Sequence, residues 1–315
     1  MTVDTPFEEF MPPSVPQKKT HTTHTHYSNV PHGVSRDPHK PCILGVDEAG
    51  RGPVLGSMVY GLAYCTKEFA DEELSKTGFA DSKTLTAEKR SALMREICCD
   101  ETLVEHLGWC TTSMTAQDIS SAMLRPMSRG VYNLNDQAHD TTMALIQGVL
   151  DRGVLLTEAY IDTVGPPASY TAKLSKQFPH IKFTVTKKAD SLFPIVSAAS
   201  ICAKVTRDMD LKSQDLSEGT WGSGYPSDPK TSVWLKSHVD QVFGWMPVVR
   251  FSWQTAKDLV EKEEKGGVEC VWADDLKRDS KSVEAYFRAA AKDKTKSKLV
   301  VSSEWYGMSV GSDVF

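Results

Sequence analysis

The feature that most constrains this chain is a pair of adjacent carboxylates, Asp47 and Glu48, between an apolar segment (42–46) and a glycine-rich turn, Gly50-Arg51-Gly52-Pro53. Neighbouring side chains of a regular strand point to opposite faces, so the two acids can serve one site only near a strand end. The glycines permit backbone angles closed to other residues, and Arg51 offers a fixed cation for a phosphate. The pattern indicates a divalent metal ion meeting a phosphate, with an acidic surface turn as the alternative.

The spacing of apolar residues predicts an α/β fold. Strands are expected over residues 42–46, 54–64, 155–161 and 181–186, and helices after Thr86, from Asp136, over 191–210, from Pro229 and over 253–264. The first two strands are joined by a turn short enough to make them antiparallel, so the sheet is expected to be mixed and flanked by helices.

Both ends of the chain differ in composition from its middle. Residues 1–40 are rich in Pro, Thr and His, which predicts a disordered tail in which three histidines could hold a metal ion or be solvated. Residues 41–264 are expected to form one folded domain. Residues 265–315 are predicted to be an extension with a helical stretch, and its apolar anchors would dock on the chain's own body or on another chain.

Composition bounds the setting of the protein. The formal net charge of −5 argues against general adhesion to nucleic acid, although a nuclease whose carboxylates are offset by bound metal remains compatible with it. No apolar run approaches the length of a membrane span, and a signal sequence is not expected. Seven cysteines without a Cys-x-x-Cys pair fit reduced thiols inside the cell.

Two further acids follow strand-like segments, Asp162 after residues 155–161 and Asp190 after 181–186. Ligand sites in open α/β sheets gather at strand ends, so Asp47, Glu48, Asp162 and Asp190 are expected to converge. On spacing alone, Asp162 and Asp190 could instead be helix caps. Carboxylate oxygens select hard cations, so Mg²⁺ is expected, with Mn²⁺ able to substitute for it. Two such ions about 3.5–4 Å apart could promote hydrolysis of a phosphodiester.

The wording of these motifs resembles the type 2 ribonucleases H, the ribonuclease HII family. Six blocks occur in the family's order over roughly residues 41–264, which makes a chance match implausible. The blocks are Asp47–Pro53, Asp81–Leu85, Tyr160–Gly165, Lys188–Asp190, Ser197–Val205 and Gly222–Pro226. The resemblance implies that residues 41–264 form a catalytic domain with a ribonuclease H-like fold.

The resemblance also implies roles for individual residues. Asp47, Glu48, Asp162 and Asp190 match the catalytic, metal-binding set. The turn Gly50-Arg51-Gly52 would read the 2′-hydroxyl of the scissile ribonucleotide, the group by which a protein distinguishes RNA from DNA. Tyr225 would stack at the same junction. Contacts to the nucleic-acid backbone are expected from Lys83, Asn133, Lys204, Arg207 and Thr255. Lys204 and Arg207 share a helix face, with a surface pair as the alternative to phosphate contact.

The activity implied is that of an endonuclease, a phosphodiester hydrolase that cuts the RNA strand of RNA–DNA hybrids and incises at single ribonucleotides in duplex DNA. The long carboxy-terminal extension resembles that of the eukaryotic catalytic subunit, which implies a heterotrimer with two non-catalytic subunits and a nuclear role in replication and repair. Two alternatives remain at this point: another carboxylate-cluster nuclease or phosphatase, and a binding component that holds hybrids without cutting them.

Overall fold

The computed structural model describes residues 10–18, 20–79, 85–126, 129–214, 221–240 and 243–262. Within them, six strands form one sheet in the order β1-β4-β3-β2-β5-β6. The strands are β1 (His24–Tyr27), β2 (Cys42–Ala49), β3 (Met58–Thr66), β4 (Gly108–Met114), β5 (Leu156–Asp162) and β6 (Lys182–Thr186).

Helices cover both faces of this sheet. They are α1 (His32–Ser35), α2 (Lys67–Glu72), α3 (Ala87–Cys99), α4 (Glu101–His106), α5 (Ala116–Met123), α6 (Leu134–Leu150), α7 (Pro167–Gln177), α8 (Ala189–Leu192), α9 (Pro194–Ser213), α10 (Pro229–Ser237) and α11 (Gln254–Glu261), with a short 3₁₀ helix at Leu74–Lys76.

The predicted mixed sheet is confirmed. Strands β1, β4, β3 and β2 pair antiparallel, whereas β2, β5 and β6 pair parallel. Parallel neighbours bring their carboxyl ends to the same edge, so the chain's acidic strand ends meet on this half of the sheet.

Helix α9 lies directly on strands β2 and β3 because two glycines clear its path. A Cβ on Gly45 would lie 2.5 Å from the main chain of Ile195, and one on Gly61 would collide with the carbonyl oxygen of Ala199. The close approach places the polar side of α9 next to the carboxyl end of β2. One apolar core lies on this face with α3 and α9, and a second lies on the opposite face with α6 and α7.

The prediction of disorder for residues 1–40 is wrong for the part that the structure describes. Residues His24–Tyr27 form the edge strand β1 against β4, and the Ser14 and Thr206 hydroxyls are hydrogen bonded at 2.7 Å. Polar Thr and His residues can form an edge strand because backbone hydrogen bonds, rather than apolar side chains, hold it to its neighbour. The Tyr27 ring also packs under the guanidinium of Arg152, with the Arg152 Cζ 3.6 Å from the ring centroid.

Other local predictions can be compared with the observed elements. Thr86 caps α3 by accepting a hydrogen bond from the Lys89 amide, as predicted. The helix expected from Asp136 begins at Leu134 instead, because Asn133 provides the cap. The single helix predicted over 191–210 is divided into α8 and α9, with Phe193 between them.

The compact unit that contains the sheet ends at Lys257, within helix α11. The predicted extension, residues 265–315, lies outside the described residues, so its helical content and subunit-binding role stay predictions. In the described part of the chain, none of the helices has the length and apolar character needed to cross a bilayer.

Candidate active site

Strand register brings three acids to one edge of the sheet. Val46 of β2 pairs with Ile161 of β5, so Asp47 and Asp162 follow side by side at the ends of two parallel strands. Glu48 is the next residue of β2. The two neighbouring acids lie within the last three residues of β2, at the strand end as predicted, although the strand runs to Ala49 rather than ending at residue 46.

Asp190 approaches the same edge through a strained turn. Lys188, between β6 and α8, has φ 58° and ψ 40°, the left-handed region that a residue with a side chain rarely adopts. The next amide, of Ala189, donates to Asp162 Oδ1 at 3.2 Å. Asp190 is buried in the first turn of α8, with 2% of its surface exposed. The turn therefore ties the segment of Asp190 directly to Asp162.

Asp47 is buried on the face covered by α9. The pKa of Asp47 is raised to about 6, chiefly by burial and also by the nearby Asp162, although a hydrogen bond from Ser200 and the positive charge of Lys204 act to lower it. Ser200 and Lys204 are four positions apart in α9 and so lie on one side of that helix. Asp47 thus has a hydrogen-bond donor and a cation beside it, yet its ionised form remains less favourable than in water.

Glu48 lies on the other face of the same strand. The pKa of Glu48 is raised to about 8, chiefly by burial and also by Asp47 and Asp162, although Arg51 acts to lower it. Across the antiparallel pair Glu48 faces Tyr60, whose hydroxyl lies near the same acid. Asp47 and Glu48 point to opposite faces of the strand, yet the charge of Asp162 raises the pKa of both. The three carboxylates therefore lie near one another at the strand end.

This donor set fits a hard divalent cation in its chemistry. Buried carboxylates that raise one another's pKa are stabilised in their charged form by a cation with oxygen preference. Among the described residues, no three His, Cys, Asp or Glu side chains are close enough to hold one metal ion as they stand. The mutual electrostatic effects of Asp47, Glu48 and Asp162 place these three carboxylates near one another.

The glycine-arginine turn lies beside these acids. Gly50 has φ 77°, a left-handed conformation that requires glycine here. The Arg51 guanidinium donates through Nη2 to Asn135 Oδ1, while its Nη1 is buried with no hydrogen-bond partner among the described residues. The Arg207 side chain lies against Gly50, and its Nε and Nη2 are likewise buried without a described partner. Unpaired buried guanidinium nitrogens favour an anionic ligand at this place.

Tyr225 reaches the turn from a loop before α10. The amide of Val54 donates to the carbonyl of Gly224 at 2.8 Å, which fixes this loop beside residues 53–55. The Tyr225 ring remains 46% exposed, as a stacking surface for a ligand requires. The structure therefore brings Tyr225 together with the turn, although the two are far apart in sequence.

The other residues predicted to contact nucleic acid lie in different surroundings. Lys204 and Arg207 share helix α9, as predicted, and both lie near the acids or the turn. The Asn133 side chain accepts from the amides of Asn135 and Asp136 as a helix cap, so its contact to a DNA strand stays a prediction. Thr255 is half-buried in α11, and Lys83 lies outside the described residues.

Sequence reasoning missed three residues that contact the turn. Asn135 binds the Arg51 guanidinium, Arg250 donates to the Gly50 carbonyl, and the Trp253 indole donates to the Gly52 carbonyl. Single polar or aromatic residues far from a motif carry no local pattern. The sequence carried one signal: Arg250 and Trp253, whose large side chains are costly to bury, lie just before a short amphipathic helix.

A mixed sheet whose parallel strands end in acids beside a glycine-arginine turn defines a ribonuclease H-like hydrolase, and comparison with known proteins agrees. The model of the family described as Ribonuclease HII matches residues 44–256. The chain therefore belongs to the ribonuclease HII family and is a ribonuclease H hydrolase. Enzymes of this family depend on divalent metal ions.

Curated relatives narrow the comparison to one kind of protein, the A subunit of ribonuclease H2. The chain is 51% identical to that of Schizosaccharomyces pombe over 84% of this chain and 81% of the relative. It is 44% identical to that of Neurospora crassa over 97% of both chains, and 46% identical to that of Homo sapiens over 79% and 82%. The name marks each relative as one component of a larger assembly.

Solved structures support the same fold. The ribonuclease H2 from Pyrococcus horikoshii is 30% identical, with a TM-score of 0.58, over 71% of this chain and 99% of that one. The RNase HII of Archaeoglobus fulgidus, solved in a complex with PCNA, is 25% identical, with a TM-score of 0.55, over 74% and 98%.

Proposed function

We propose that this chain is the catalytic subunit of a type 2 ribonuclease H. It hydrolyses the RNA strand of RNA–DNA hybrids and incises at single ribonucleotides embedded in duplex DNA, leaving 3′-hydroxyl and 5′-phosphate ends. The observation that carries the proposal is the position of Asp47, Glu48 and Asp162 at one sheet edge, where burial and mutual repulsion raise the pKa of the first two.

The acids would hold the metal ions. Asp47, Glu48, Asp162 and Asp190 supply oxygen ligands suited to Mg²⁺, with Mn²⁺ as a substitute. When bound, two such ions would supply activation of the attacking water and stabilisation of the departing oxygen. Lys204, which lies near Asp47, partly offsets the negative charge that gathers there.

The turn and its neighbours would bind the nucleic acid. The Arg51 and Arg207 side chains carry buried nitrogens without described partners, and these suit a phosphate of the cleaved strand. The main chain of Gly50-Arg51-Gly52 would contact the 2′-hydroxyl, and the half-exposed Tyr225 ring would stack on the sugar or base at the junction. Lys83, Asn133 and Thr255 would contact the backbone farther away.

The assembly is proposed to contain two non-catalytic subunits bound through residues 265–315, and to act in the nucleus on ribonucleotides left in DNA. This rests on the relatives, whose names make them one component of ribonuclease H2, and on the apolar anchors of the extension. The net charge of the chain is negative, which fits nucleic-acid binding confined to the site rather than spread over the protein surface.

A direct test uses three labelled duplexes of one sequence with Mg²⁺: all DNA, DNA with a single ribonucleotide, and a continuous RNA–DNA hybrid. The proposal expects cleavage of the second and third and no cleavage of the first, with each product end identified by mass. Asp47→Asn serves as the inactive control.

The pattern of products also separates the alternatives. Cleavage of all-DNA duplex at a comparable rate would indicate a different carboxylate-cluster nuclease. Release of inorganic phosphate without strand cleavage would indicate a phosphatase. Tight binding of hybrids without any product from the assembled protein would contradict the catalytic assignment.

A further inference from the structure

Arg250 is a fully buried arginine whose surroundings are unusual. Its side chain is 0% exposed, and no described carboxylate forms an ion pair with it. Burial lowers the pKa of its guanidinium, and the nearby Arg207 lowers it further. A buried charge without a counter-charge destabilises the folded state unless hydrogen bonds satisfy it. The hydrogen-bond partners of this side chain therefore indicate which part of the structure it holds in place.

Those partners are main-chain carbonyls of the glycine-arginine turn and the residues just after it. Arg250 donates through Nη2 to Gly50 O at 2.6 Å, through Nη1 to Arg51 O at 3.1 Å, and through Nε to Gly56 O at 2.9 Å. Every nitrogen of the guanidinium is thus used on the turn segment. The fork geometry of arginine suits this task, and a lysine could not bind all three oxygens in the same way.

Trp253 completes the same set of contacts. Its indole Nε1 donates to Gly52 O at 3.0 Å, and its ring lies 4.7 Å from the Arg250 guanidinium. Stacking on the ring stabilises the buried cation. Together, Arg250 and Trp253 bind the carbonyl oxygens of three consecutive residues, Gly50, Arg51 and Gly52.

Fixing these carbonyls also fixes the amides on the other side of the turn. A peptide unit is planar, and the described peptide bonds are all trans, so the carbonyl of Gly50 points opposite to the N–H of Arg51. The same holds for the carbonyl of Arg51 and the N–H of Gly52, while Pro53 has no N–H. Within the described chain, neither amide donates to another group. Two neighbouring free amides make a concave donor pair for an oxygen ligand.

We infer that Arg250 and Trp253 are positioning residues, which hold the carbonyl side of the turn so that the amides of Arg51 and Gly52 are presented to the 2′-hydroxyl of the ribonucleotide. The inference rests on the proposed function. A phosphate is attracted by the cations of the site wherever the turn points, whereas a neutral hydroxyl is recognised only by donors that are aimed in advance. The pair therefore affects selectivity for RNA more than affinity for nucleic acid.

The most specific variant is Trp253→Phe, which keeps a ring beside Arg250 and removes only the donor to Gly52 O. The chain offers a matched control in Trp245, whose indole Nε1 donates to the carbonyl of Leu235 at 2.8 Å, away from the turn. Trp245→Phe therefore removes the same type of hydrogen bond from a buried tryptophan. Arg250→Lys is a stronger second variant that keeps the charge and loses the fork.

The measurement compares binding of two duplexes that differ by one 2′-hydroxyl, one with a single ribonucleotide and one of DNA alone. Full-length protein, assembled with its partners, carries Asp190→Asn in every case so that no substrate is cut. Trp253→Phe is expected to reduce the preference for the ribonucleotide about tenfold, the scale of one or two hydrogen bonds to a neutral group, with DNA binding unchanged. Trp245→Phe should keep the preference at an equal melting temperature.

If Trp253→Phe and Trp245→Phe lower the melting temperature equally and leave the preference intact, Trp253 has only a structural role and the inference fails alone. If Arg250→Lys folds and keeps the preference, the inference fails for Arg250 as well. If the protein without either change cuts neither the ribonucleotide duplex nor the hybrid, the proposed function is overturned and the inference with it; if it cuts them yet its Asp190→Asn form binds both duplexes alike, the inference fails alone.

Discussion

The aromatic ring of Tyr225 lies against Gly52, and a Cβ built on Gly52 would be 3.0 Å from Tyr225 Cε1. The contact joins the turn to a loop whose glycine-rich sequence lets the ring stand beside it. Arg250 and Trp253 donate to carbonyls of the same turn, and Gly52, although exposed, contacts both the Trp253 indole through its carbonyl and the Tyr225 ring. Its lack of a side chain is therefore a condition for the shape of the whole site.

The position of Tyr225 predicts a selective loss. Tyr225→Ala should lower cleavage at a lone ribonucleotide in DNA by about tenfold more than cleavage of a continuous hybrid, since stacking contributes about 1–3 kcal/mol and an isolated junction offers fewer alternative registers. Both substrates are measured side by side at one metal and salt concentration. Tyr225→Phe keeps the ring and should behave like the unchanged protein.

A second variant tests the same contact from the other side. Gly52→Ala adds a methyl group in the space of the Tyr225 ring and should reproduce the selectivity of Tyr225→Ala. Equal losses on both substrates in these variants would show that Tyr225 supports the site without reading the junction.

Removal of one acid should abolish cleavage while preserving the fold. Asp47→Asn or Asp190→Asn is expected to lower the cleavage rate by at least about 100-fold, the scale for one preorganised electrostatic group. Because burial raises the pKa of Asp47, loss of its charge should leave the melting temperature unchanged or higher. Rates and thermal unfolding are measured on the same preparations.

Asp210 provides the control for this prediction. It is also a buried aspartate, and the Ser57 hydroxyl donates to its carboxylate, but it is not among the four acids of the site. Asp210→Asn should retain cleavage even if stability changes. Near-normal turnover in Asp47→Asn would remove the metal assignment.

Divalent metal should stabilise the protein. Repulsion among Asp47, Glu48 and Asp162 opposes folding, and a bound cation relieves it, so Mg²⁺ should raise the melting temperature by a few degrees and EDTA should reverse the change. The comparison is thermal unfolding with and without Mg²⁺ at constant ionic strength, with Ca²⁺ and K⁺ as further salts. A shift of the same size in a variant with both Asp47→Asn and Glu48→Gln would place the metal elsewhere.

His139 should contribute to acid sensitivity. Its ring stacks on Tyr170 with centroids 3.9 Å apart, and burial, aided by Lys173, lowers its pKa below the ordinary value of 6.5. The folded state then holds His139 neutral while the unfolded state binds a proton. Its contribution to the free energy of unfolding is complete above pH 6.5 and decreases as the pH falls below that value.

The variant His139→Phe keeps the stack and removes the titrating group. Its free energy of unfolding should fall less between pH 7 and pH 5 than that of the unchanged protein, as measured by urea titrations at each pH. Parallel curves over this range would show that His139 binds protons equally in both states.

The extension should be needed for assembly rather than for the acids. Deletion of residues 265–315 is expected to weaken association with the partner subunits, because isolated anchors such as Trp272, Phe287 and Trp305 in a polar segment are typical of docking. Co-purification of tagged partners with the full and shortened chains measures this. Undiminished recovery with the shortened chain would reassign the extension to packing on its own body.

Local signals predicted most of the sheet and the acids. The run from Asp47 to Pro53 carries both an apolar strand and the glycines of a turn, and Thr86 has the chemistry of a helix cap, so both follow from short-range rules. Asp162 and Asp190 follow strand-like segments, and the gathering of parallel strand ends at one edge is a general property of such sheets.

Residues whose roles depend on distant contacts could not be predicted in this way. Strand β1 is polar, and its position is decided by the free edge of β4 rather than by its own pattern. Asn133 has the chemistry of a ligand contact and also of a cap, and only the fold shows its capping hydrogen bonds. Arg250 and Trp253 donate hydrogen bonds to main-chain carbonyls, and no sequence pattern shows which carbonyls a distant side chain contacts.

The hydrogen bond from Arg250 to Gly50 spans 200 positions of the chain, and this distance has a consequence during synthesis. Strand β6, the last strand of the acidic edge, is complete at Thr186, and helix α9 at Ser213. Because a ribosome adds residues in order, the acids and the helix that covers them emerge well before the arginine that holds the turn. A chain released before Arg250 would carry every acid of the site without the hydrogen bonds that hold the turn, so the acids are made before the residues that, by our inference, support discrimination.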